Sequence, residues 1–532
     1  MGVKTVYDSS LTAVADAIRA KTGKTDTMQF PDGFVDEIEG ISGGGGITPP
    51  EPVYWVKPQG TPDLDALLEA DEHDNVIYMI VDNVHHKDNG VSVNISNPVA
   101  YVKHFERGHV ENGVFVVDEQ VTFNHNQNQF IYQDMSDPWE DYPVFRAYAD
   151  NGENIASINV QNAYDHYLEV VLRSNKTFGV FIPRYIKRMR IDAPIRSMDT
   201  GGGANSLQKL TLSDTSNVTT FQNFLLDCKH LSEVNIAEWD VRNSTSFYRC
   251  FEGMQSIKSI DCSAWQNSLA TSLVRMFQNC TALEEIRFGS GFTPAPTNIS
   301  DMFVRCYALQ KITFPPLDLS QNTGNMHTMF SDCYSLAEID GAEYLDTATI
   351  ANNNYPSFAT CLGMRKLPDG YVWDLSGGTS VSSGAFNNPM LEELDLSGTL
   401  HTENIRQPPL VSNALQLKKI DYHGWDTSGI TGFGVWTVLS KVKYLNLDGW
   451  DLTHLTSVSM WNVQSVEEFY PPKIAVSHGY SNMINLDHAS RLRILNVLPE
   501  VSSTVTLTLG NVKNELTDAE IAIATQKGWT VA

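Results

Sequence analysis

The sequence predicts a mainly β protein with short helices, in which a solenoid of small stacked coils follows a β-rich domain and a small N-terminal helical module. Three observations carry this. A ladder of small or apolar residues recurs eleven times between Cys228 and Ala489 at intervals of 24 to 28 residues. Short runs of β-branched and aromatic residues, separated by Asn, Asp and Gly, fill residues 53–195. A Gly/Pro stretch, Ser42 to Gly46 and then Pro49, Pro50 and Pro52, sets off the first 42 residues from the rest.

Residues 1–42 read as two short amphipathic helices. Ser10 caps the first, whose Leu11, Val14, Ala15 and Ile18 share one face, and Gly23 ends it. Pro31 and Asp32 open the second, with Phe34, Ile38 and Ile41 on one side. Helices this short bury too little surface to stand alone, so their apolar stripes need a partner. Either another protein or the next domain of this chain supplies it.

The linker 43–52 combines flexible glycines with extended prolines. It is not a phosphate loop, because no Gly-Lys-Ser/Thr follows and no strand leads in. The triple Gly201-Gly202-Gly203 fails the same test.

Strands are expected at 76–81, 114–117, 129–132, 168–172 and 178–182, as a sandwich or similar β-rich domain over 53–195. Its aromatic residues include Trp55, Tyr78, Phe105, Trp139, Tyr142, Tyr164 and Tyr167. On a surface they would stack on sugars; the favoured expectation is that they form core.

In the repeats, the best copies read Met276-Phe277-x-x-Cys280-x-x-Leu283-x-x-Ile286, Met302-Phe303-x-x-Cys306-x-x-Leu309-x-x-Ile312 and Met329-Phe330-x-x-Cys333-x-x-Leu336-x-x-Ile339. Leu225/Cys228/Leu231/Val234, Phe251/Met254/Ile257/Ile260 and Phe358/Cys361/Met364/Leu367 follow the same phrase. Weaker copies lie at Phe386/Leu391/Leu394, Val411/Ala414/Leu417/Ile420, Trp436/Leu439/Val442/Leu445, Met460/Val463/Val466/Phe469 and Leu486/Ala489/Leu492/Leu495, with an incomplete Ala204/Leu207/Leu210 before the series. A unit this small cannot bury its apolar side alone, so neighbours must stack into one continuous core over 196–510. The interval of three suits a tight turn that enters a short parallel strand. A terminal helix within 511–532, opened by the Thr517/Glu520 capping box and ended at Gly528, is expected to cap the last coil.

Composition excludes several classes. The net charge is −26, from 63 acidic against 37 basic residues, so a phosphate backbone would be repelled and nucleic acid is not an expected partner. No segment approaches the roughly 18 to 20 apolar residues of a membrane span, and the start of the chain shows no apolar core of a secretory signal. All seven cysteines lie in the repeats, five of them at one ladder site, which reads as a file of small hydrophobes rather than metal ligands.

The Met-Phe-x-x-Cys-x-x-Leu-x-x-Ile units, with Trp239, Trp265, Trp425 and Trp450 opening return segments, resemble the BspA-type leucine-rich repeats of bacterial surface and phage proteins. The phrase from Ser10 to Gly23 followed by Phe30-Pro31-Asp32-Gly33-Phe34 resembles the N-terminal module of phage virion proteins. This second resemblance implies attachment to a phage particle through residues 1–42, with Leu11, Val14, Ile18, Phe34 and Ile38 as the attaching residues, and a place on the virion tail or head. Several copies per particle, a trimer by analogy with fibres, would follow.

Nothing in the residues reads as a catalytic constellation. The fourteen histidines, among them His85-His86, His104, His109 and His125, include no His-Glu-x-x-His helix. Asp71-Glu72-His73-Asp74 and Asp137-Pro138-Trp139-Glu140-Asp141 would suit calcium or a glycan-cleaving carboxylate pair, against the alternative of solvated acidic loops. The expectation is therefore a non-enzymatic phage virion fibre or appendage, without cofactor or metal, whose repeats bind a bacterial surface glycan or protein. The alternatives are a bacterial surface adhesin with the same repeats and, third, a glycan depolymerase.

Overall fold

The computed structural model describes residues 56–81, 91–96, 104–120, 130–132, 142–151, 157–159, 167–182, 186–200, 206–350, 355–379, 385–386, 388–408, 411, 414–432, 440–458 and 463–532. The helices expected within 1–42, with Leu11, Val14, Ile18, Phe34 and Ile38, and the linker 43–52 lie outside the described residues. The described chain falls into two compact units, one within 49–296 and one within 297–532.

The first unit opens with helix α1 (Leu64–Ala70), capped by the Asp63 side chain, which accepts from the Ala66 amide at 3.4 Å. Its strands are β1 (Asn75–Val81), β2 (Val91–Ser96), β3 (His104–Glu111), β4 (Val114–Gln120), β5 (Phe130–Tyr132), β6 (Val144–Ala149), β7 (Ser157–Asn159), β8 (Tyr167–Arg173), β9 (Phe178–Phe181), β10 (Arg188–Asp199), β11 (Lys209–Asp214), β12 (Glu233–Val234), β13 (Ser259–Cys262) and β14 (Glu285–Phe288). The five runs expected as strands all appear.

One sheet takes the order β12-β11-β10-β8-β1-β6-β3-β4. Pairing is antiparallel from β8 through β1, β6 and β3 to β4, and parallel from β8 through β10 and β11 to β12. Residues 195 and 196, expected to lie on opposite sides of a domain boundary, are consecutive inside β10. The physical reason is edge protection: the first parallel strands extend an existing sheet, so the open edge that a free-standing stack would present is already paired. One face is covered by a helix rather than by the second sheet of a sandwich: Leu64, Leu67 and Leu68 of α1 pack on Val76, Tyr78, Ile80, Val144 and Val171. β5, β2 and β7 form a separate antiparallel sheet.

In the coils of this unit the apolar ladder runs as consecutive turns, not as a helix. Leu273, Phe277 and Cys280 accept from the amides three residues on, Met276, Cys280 and Leu283, at 3.1 to 3.3 Å. Arg249, Gly253, Arg275 and Asn279 have positive φ, which lets alternate amides point out of the turn toward the next coil. The amides of Phe247, Arg249, Phe251 and Gly253 donate to the carbonyls of Ser272, Val274, Met276 and Gln278 at 2.8 to 3.0 Å, all in the same direction. Rings stack in step with them: Phe221 on Phe247 at 5.5 Å and Phe251 on Phe277 at 5.4 Å between centroids.

The second unit continues the pattern with β15 (Lys311–Thr313), β16 (Glu338–Asp340), β17 (Glu393–Asp395), β18 (Lys419–Asp421), β19 (Tyr444–Asn446) and β20 (Glu468–Tyr470). β15 pairs β16, and β17 to β20 form one sheet, all parallel. The coil between β16 and β17 buries its ladder residues Phe358, Cys361 and Met364 but makes no strand. Pro368, at the position of Asp340, has no N–H to give a sheet. Of the weaker ladder copies, Phe386, Leu391, Leu394, Val411, Ala414, Leu417, Ile420, Val442, Leu445, Val463, Val466 and Phe469 are all buried, while Trp436, Leu439 and Met460 lie outside the described residues.

One expectation fails near the C-terminus. Leu486/Ala489/Leu492/Leu495 is not a coil ladder, since helix α2 (His488–Val497) occupies it, capped by Asp487 accepting from the Ser490 amide at 2.7 Å. Ala489 is exposed and Leu492 half-buried, whereas Leu486 and Leu495 are buried as expected, and α2 buries Ser490 and Ile494 besides. Over two turns, intervals of three and of 3.6 residues place apolar side chains almost alike. The terminal helix expected from the Thr517/Glu520 capping box is present. Helix α3 (Asp518–Gln526) has the expected capping box but runs between two parallel strands, β22 (Val505–Thr508) and β23 (Trp529–Val531), which pair with β21 (His478–Gly479) in a further small sheet. The parallel pairing requires a crossover, and the helix supplies it.

Candidate binding face of the solenoid

Inside the coils the side chains are spent on structure. All seven cysteines are buried and free of disulfides. The Cys280, Cys333 and Cys361 thiols each donate to the carbonyl of a phenylalanine in the preceding coil, Phe251, Phe303 and Phe330. Asn388 takes this site in the next coil, wholly buried, and its amide donates to Phe358 O at 3.3 Å and Cys361 O at 2.6 Å. The tryptophans follow a similar rule: Nε1 of Trp265, Trp425 and Trp450 donates one coil back, to Ile236, Leu396 and Tyr422 O, at 2.7 to 2.9 Å. Among the described residues no cluster of three or more His, Cys, Asp or Glu is arranged to hold a metal, and no helix is long and apolar enough to cross a membrane.

What the coils offer to a partner is the outer face of their strands. The middle residue of each strand points inward and the two beside it point outward, as period-two geometry requires. In β17 to β20 the inward residues Leu394, Ile420, Leu445 and Phe469 are buried. Outward there are two rows, Glu393, Lys419, Tyr444, Glu468 and Asp395, Asp421, Asn446, Tyr470, aligned by the strand register. A bordering row is tied by ion pairs, Lys418 to Glu392 at 2.6 Å and Lys443 to Glu467 at 2.5 Å.

Aromatic rings enter this face at β19 and β20. The centroids of Tyr444 and Tyr470 lie 5.8 Å apart with the ring planes 50° to each other. Asn446 donates to the Tyr444 hydroxyl at 3.1 Å, and Asp421, nearly buried beside them, holds His423 Nδ1 at 2.7 Å. Tyr470 donates to Glu468 Oε1 at 2.8 Å, and the Arg493 guanidinium, held by Phe469 O at 3.3 Å, lies 4.0 Å over its ring. The Lys419 ammonium stands 5.8 Å from the Tyr444 ring centroid. Burial raises the Tyr444 pKa, with Asp421 adding to it, and the hydrogen bond to Glu468 raises that of Tyr470, so both phenols stay neutral hydroxyls at ordinary pH. The sequence reading missed this pair. The signal was present as a departure: the outward strand positions of β13 to β18 carry Ser, Asp, Glu, Arg, Lys and Thr.

Of the acidic group Asp71-Glu72-His73-Asp74, Glu72 and Asp74 are exposed and only the Asp71 side chain is buried. Asp71, buried, accepts from the Tyr78 hydroxyl at 2.6 Å, contacts His73 Nδ1 at 2.7 Å and pairs with Arg146 at 3.3 Å. Arg146 also holds Glu106 at 2.6 Å. Burial works to raise the Asp71 pKa, but the hydrogen bonds from Tyr78 and His73 hold it below the usual carboxylate range. A glycosidase acid needs the opposite shift. His104 and His109 belong to separate pairs, with Asp150 at 3.2 Å and Asp118 at 2.8 Å. Of the aromatic residues named above, Tyr78 and Phe105 are core and Tyr142 packs at its margin. His85, His86, His125, Trp55, Trp139, Tyr164 and residues 137–141 lie outside the described residues, as does the side chain of Tyr167.

Residues 197–314 match the model of a family described as a Mycoplasma protein of unknown function, DUF285. Among solved structures, the chain is similar to a leucine-rich cell surface protein of Faecalibacterium prausnitzii A2-165, at 13% identity over 62% of this chain and 92% of that one, with a TM-score of 0.26. It is also similar to the TLR13 chain of a TLR13–ssRNA13 complex, at 12% identity over 63% of this chain and 50% of that one, with a TM-score of 0.19. No curated protein matches it.

Proposed function

We propose that this chain is a non-enzymatic, adhesin-like recognition protein whose leucine-rich-repeat coils bind a bacterial surface through the outer face of their strands. The observation that carries the reading is the division of labour in the repeats. Thiols, tryptophans and the buried Asn388 amide are committed to holding coil on coil, while the outward strand positions vary freely from coil to coil. A scaffold of this kind gains affinity by summing modest contacts, and several linked copies multiply the effect through effective concentration. The Asp71–Arg146–Glu106 network, with both carboxylates tied to one guanidinium, supports recognition over glycan cleavage.

Two carriers fit this function. The wording of residues 1–42 favours a phage particle, on which Leu11, Val14, Ile18, Phe34 and Ile38 would attach the chain at the tail or head. The repeats fit a bacterial surface adhesin equally well. The test measures binding of the labelled full chain to intact bacteria, using arginine substitutions at outward positions of several strands, such as Thr313→Arg and Asp340→Arg. Saturable binding that these variants abolish is expected. Binding untouched by every such change would sink the reading. Labelled antibodies against residues 1–42, imaged on virions and on cells, separate the carriers.

A further inference from the structure

We infer that the Tyr444–Tyr470 pair on the outer face of β19 and β20 is a subsite for an uncharged pyranose sugar, part of a neutral glycan. This deepens the reading of the strand face as the binding face and rests on it.

The first ground is composition within a repeat. Positions that alternate between small polar and charged residues on β13 to β18 become two aromatic rings on neighbouring strands. Neither ring serves the core, since the inward residues Leu445 and Phe469 already fill it. Tyrosine supplies a large, stiff contact surface with a polar tip at little entropic cost. Its π-face attracts the slightly positive C–H groups that line one side of a pyranose. Two rings at 50° with centroids 5.8 Å apart form an open V rather than a closed stack, and Arg493 over Tyr470 fixes one wall.

The second ground is the polar rim. Sugar hydroxyls both donate and accept, so a sugar site needs acceptors and donors side by side. Asp421 and Glu468 present carboxylate oxygens beside the rings, and the Asn446 amide and Tyr444 hydroxyl lie between them. Lys419 supplies donors. The other lysines bordering these rows are engaged, Lys418 with Glu392 and Lys443 with Glu467, whereas Lys419 has no carboxylate within ion-pair distance among the described residues.

Charge selects the class. The carboxylates of Asp421 and Glu468 repel an acidic sugar at short range, and the net −26 of the chain repels a polyanion at long range. A cationic peptide would be drawn to the acidic surface at large and has no reason to prefer a patch carrying Lys419 and Arg493. A neutral polyhydroxylated ring meets none of these objections.

The experiment titrates the full chain by calorimetry with neutral oligosaccharides of glucose, galactose, mannose and N-acetylglucosamine, and with polygalacturonate as the acidic control. At least one neutral probe is expected to bind, with affinity changing less than about twofold across the salt range in which exposed charges become screened. Tyr444→Ala and Tyr470→Ala should each weaken it about tenfold, the scale of one aromatic contact. Tyr470→Phe, which keeps the ring and removes the hydroxyl, should retain most of the affinity and guards against loss through misfolding. Lys176→Gln, in the turn between β8 and β9 and away from the coil strands, should change nothing.

If the chain still binds bacteria but none of the neutral probes, or binds them unaffected by both alanine variants, the sugar subsite falls and the recognition function stands. Binding only to polygalacturonate also overturns it. Failure to bind any bacterial surface would fall on the recognition function instead.

Discussion

At the scale of single residues, neighbouring coils act as controls for each other. Trp239 and Trp265 occupy the same place in adjacent coils, and both are buried. Trp265 Nε1 donates to Ile236 O at 2.9 Å, whereas Trp239 Nε1 is buried without a partner. Replacing each by phenylalanine removes similar volume but only one satisfied hydrogen bond. Trp265→Phe should therefore cost about 1–2 kcal/mol more than Trp239→Phe in denaturant unfolding; equal losses would mean that ring packing alone sets the cost. The cysteines make a second residue-scale case. Burial lifts the Cys280 pKa from its ordinary 9.0 to about 12, and lifts Cys250, Cys262, Cys333 and Cys361 in the same direction. The folded chain then holds protons that the unfolded chain releases above its own thiol pKa. Stability is complete below pH 9 and is lost as pH climbs toward 12. Unfolding midpoints should fall over that window, and a thiol reagent at pH 8 should label none of the seven cysteines until denaturant is added. Rapid labelling of the native chain would show that the thiols are accessible and that the coils are not closed around them.

At the scale of the element, the turn ladder depends on residues that tolerate left-handed backbone. Asn279 sits at φ 62° just before Cys280. A β-branched side chain there is strained, so Asn279→Val should destabilise by about 1–2 kcal/mol while Asn279→Gly stays near neutral. Thermal melts of the two variants decide it, and equal melting temperatures would show that the turn relaxes to another conformation. Much of this architecture was legible in the sequence because one phrase recurs: wherever Phe, Cys, Leu and Ile stand at intervals of three, the side chains are buried. Illegible were the features set by neighbours in space. That alternate amides from Phe247 to Gly253 donate to the next coil follows from positive φ at Arg249 and Gly253, and arginine is not a residue that announces such a conformation. That β8 joins the antiparallel and parallel halves of a sheet follows from pairing, which a linear reading of 167–173 cannot show. Pro368 did carry a local sign that its coil would lack a strand. Tyr444 and Tyr470 were visible as residues but not as a pair, because only the register of β19 against β20 brings their rings together.

At the scale of the whole molecule, the organisation is one of neighbours. In the coils, ladder residues pack on neighbouring coils, as Phe251 on Phe277 and Phe330 on Phe358 do, so damage should stay local, as in other repeat proteins whose stability is a sum of unit and interface terms. Phe277 tests this within the first unit. It stacks on Phe251 at 5.4 Å, meets Phe288 edge-on at 6.1 Å and is fully buried, so Phe277→Ala should cost about 3–5 kcal/mol. The amides next to it, Phe251 donating to Met276 O at 2.9 Å and Gly253 donating to Gln278 O at 2.8 Å, should lose hydrogen-exchange protection first. The sheet formed by β1, β6 and β8 has its own core with α1, built around Leu64, Leu67, Tyr78 and Val171, and its amides should keep their protection in the same sample. A core shared by the whole unit would instead release both sets of amides together, at one rate and with one denaturant dependence. Hydrogen exchange read by mass spectrometry on the full-length variant distinguishes these outcomes, since peptides covering 247–253 and 75–81 are separate. Local loss would also explain how outward strand residues can change from coil to coil: a substitution on one strand is felt by its two neighbours and leaves the rest of the outer face in place.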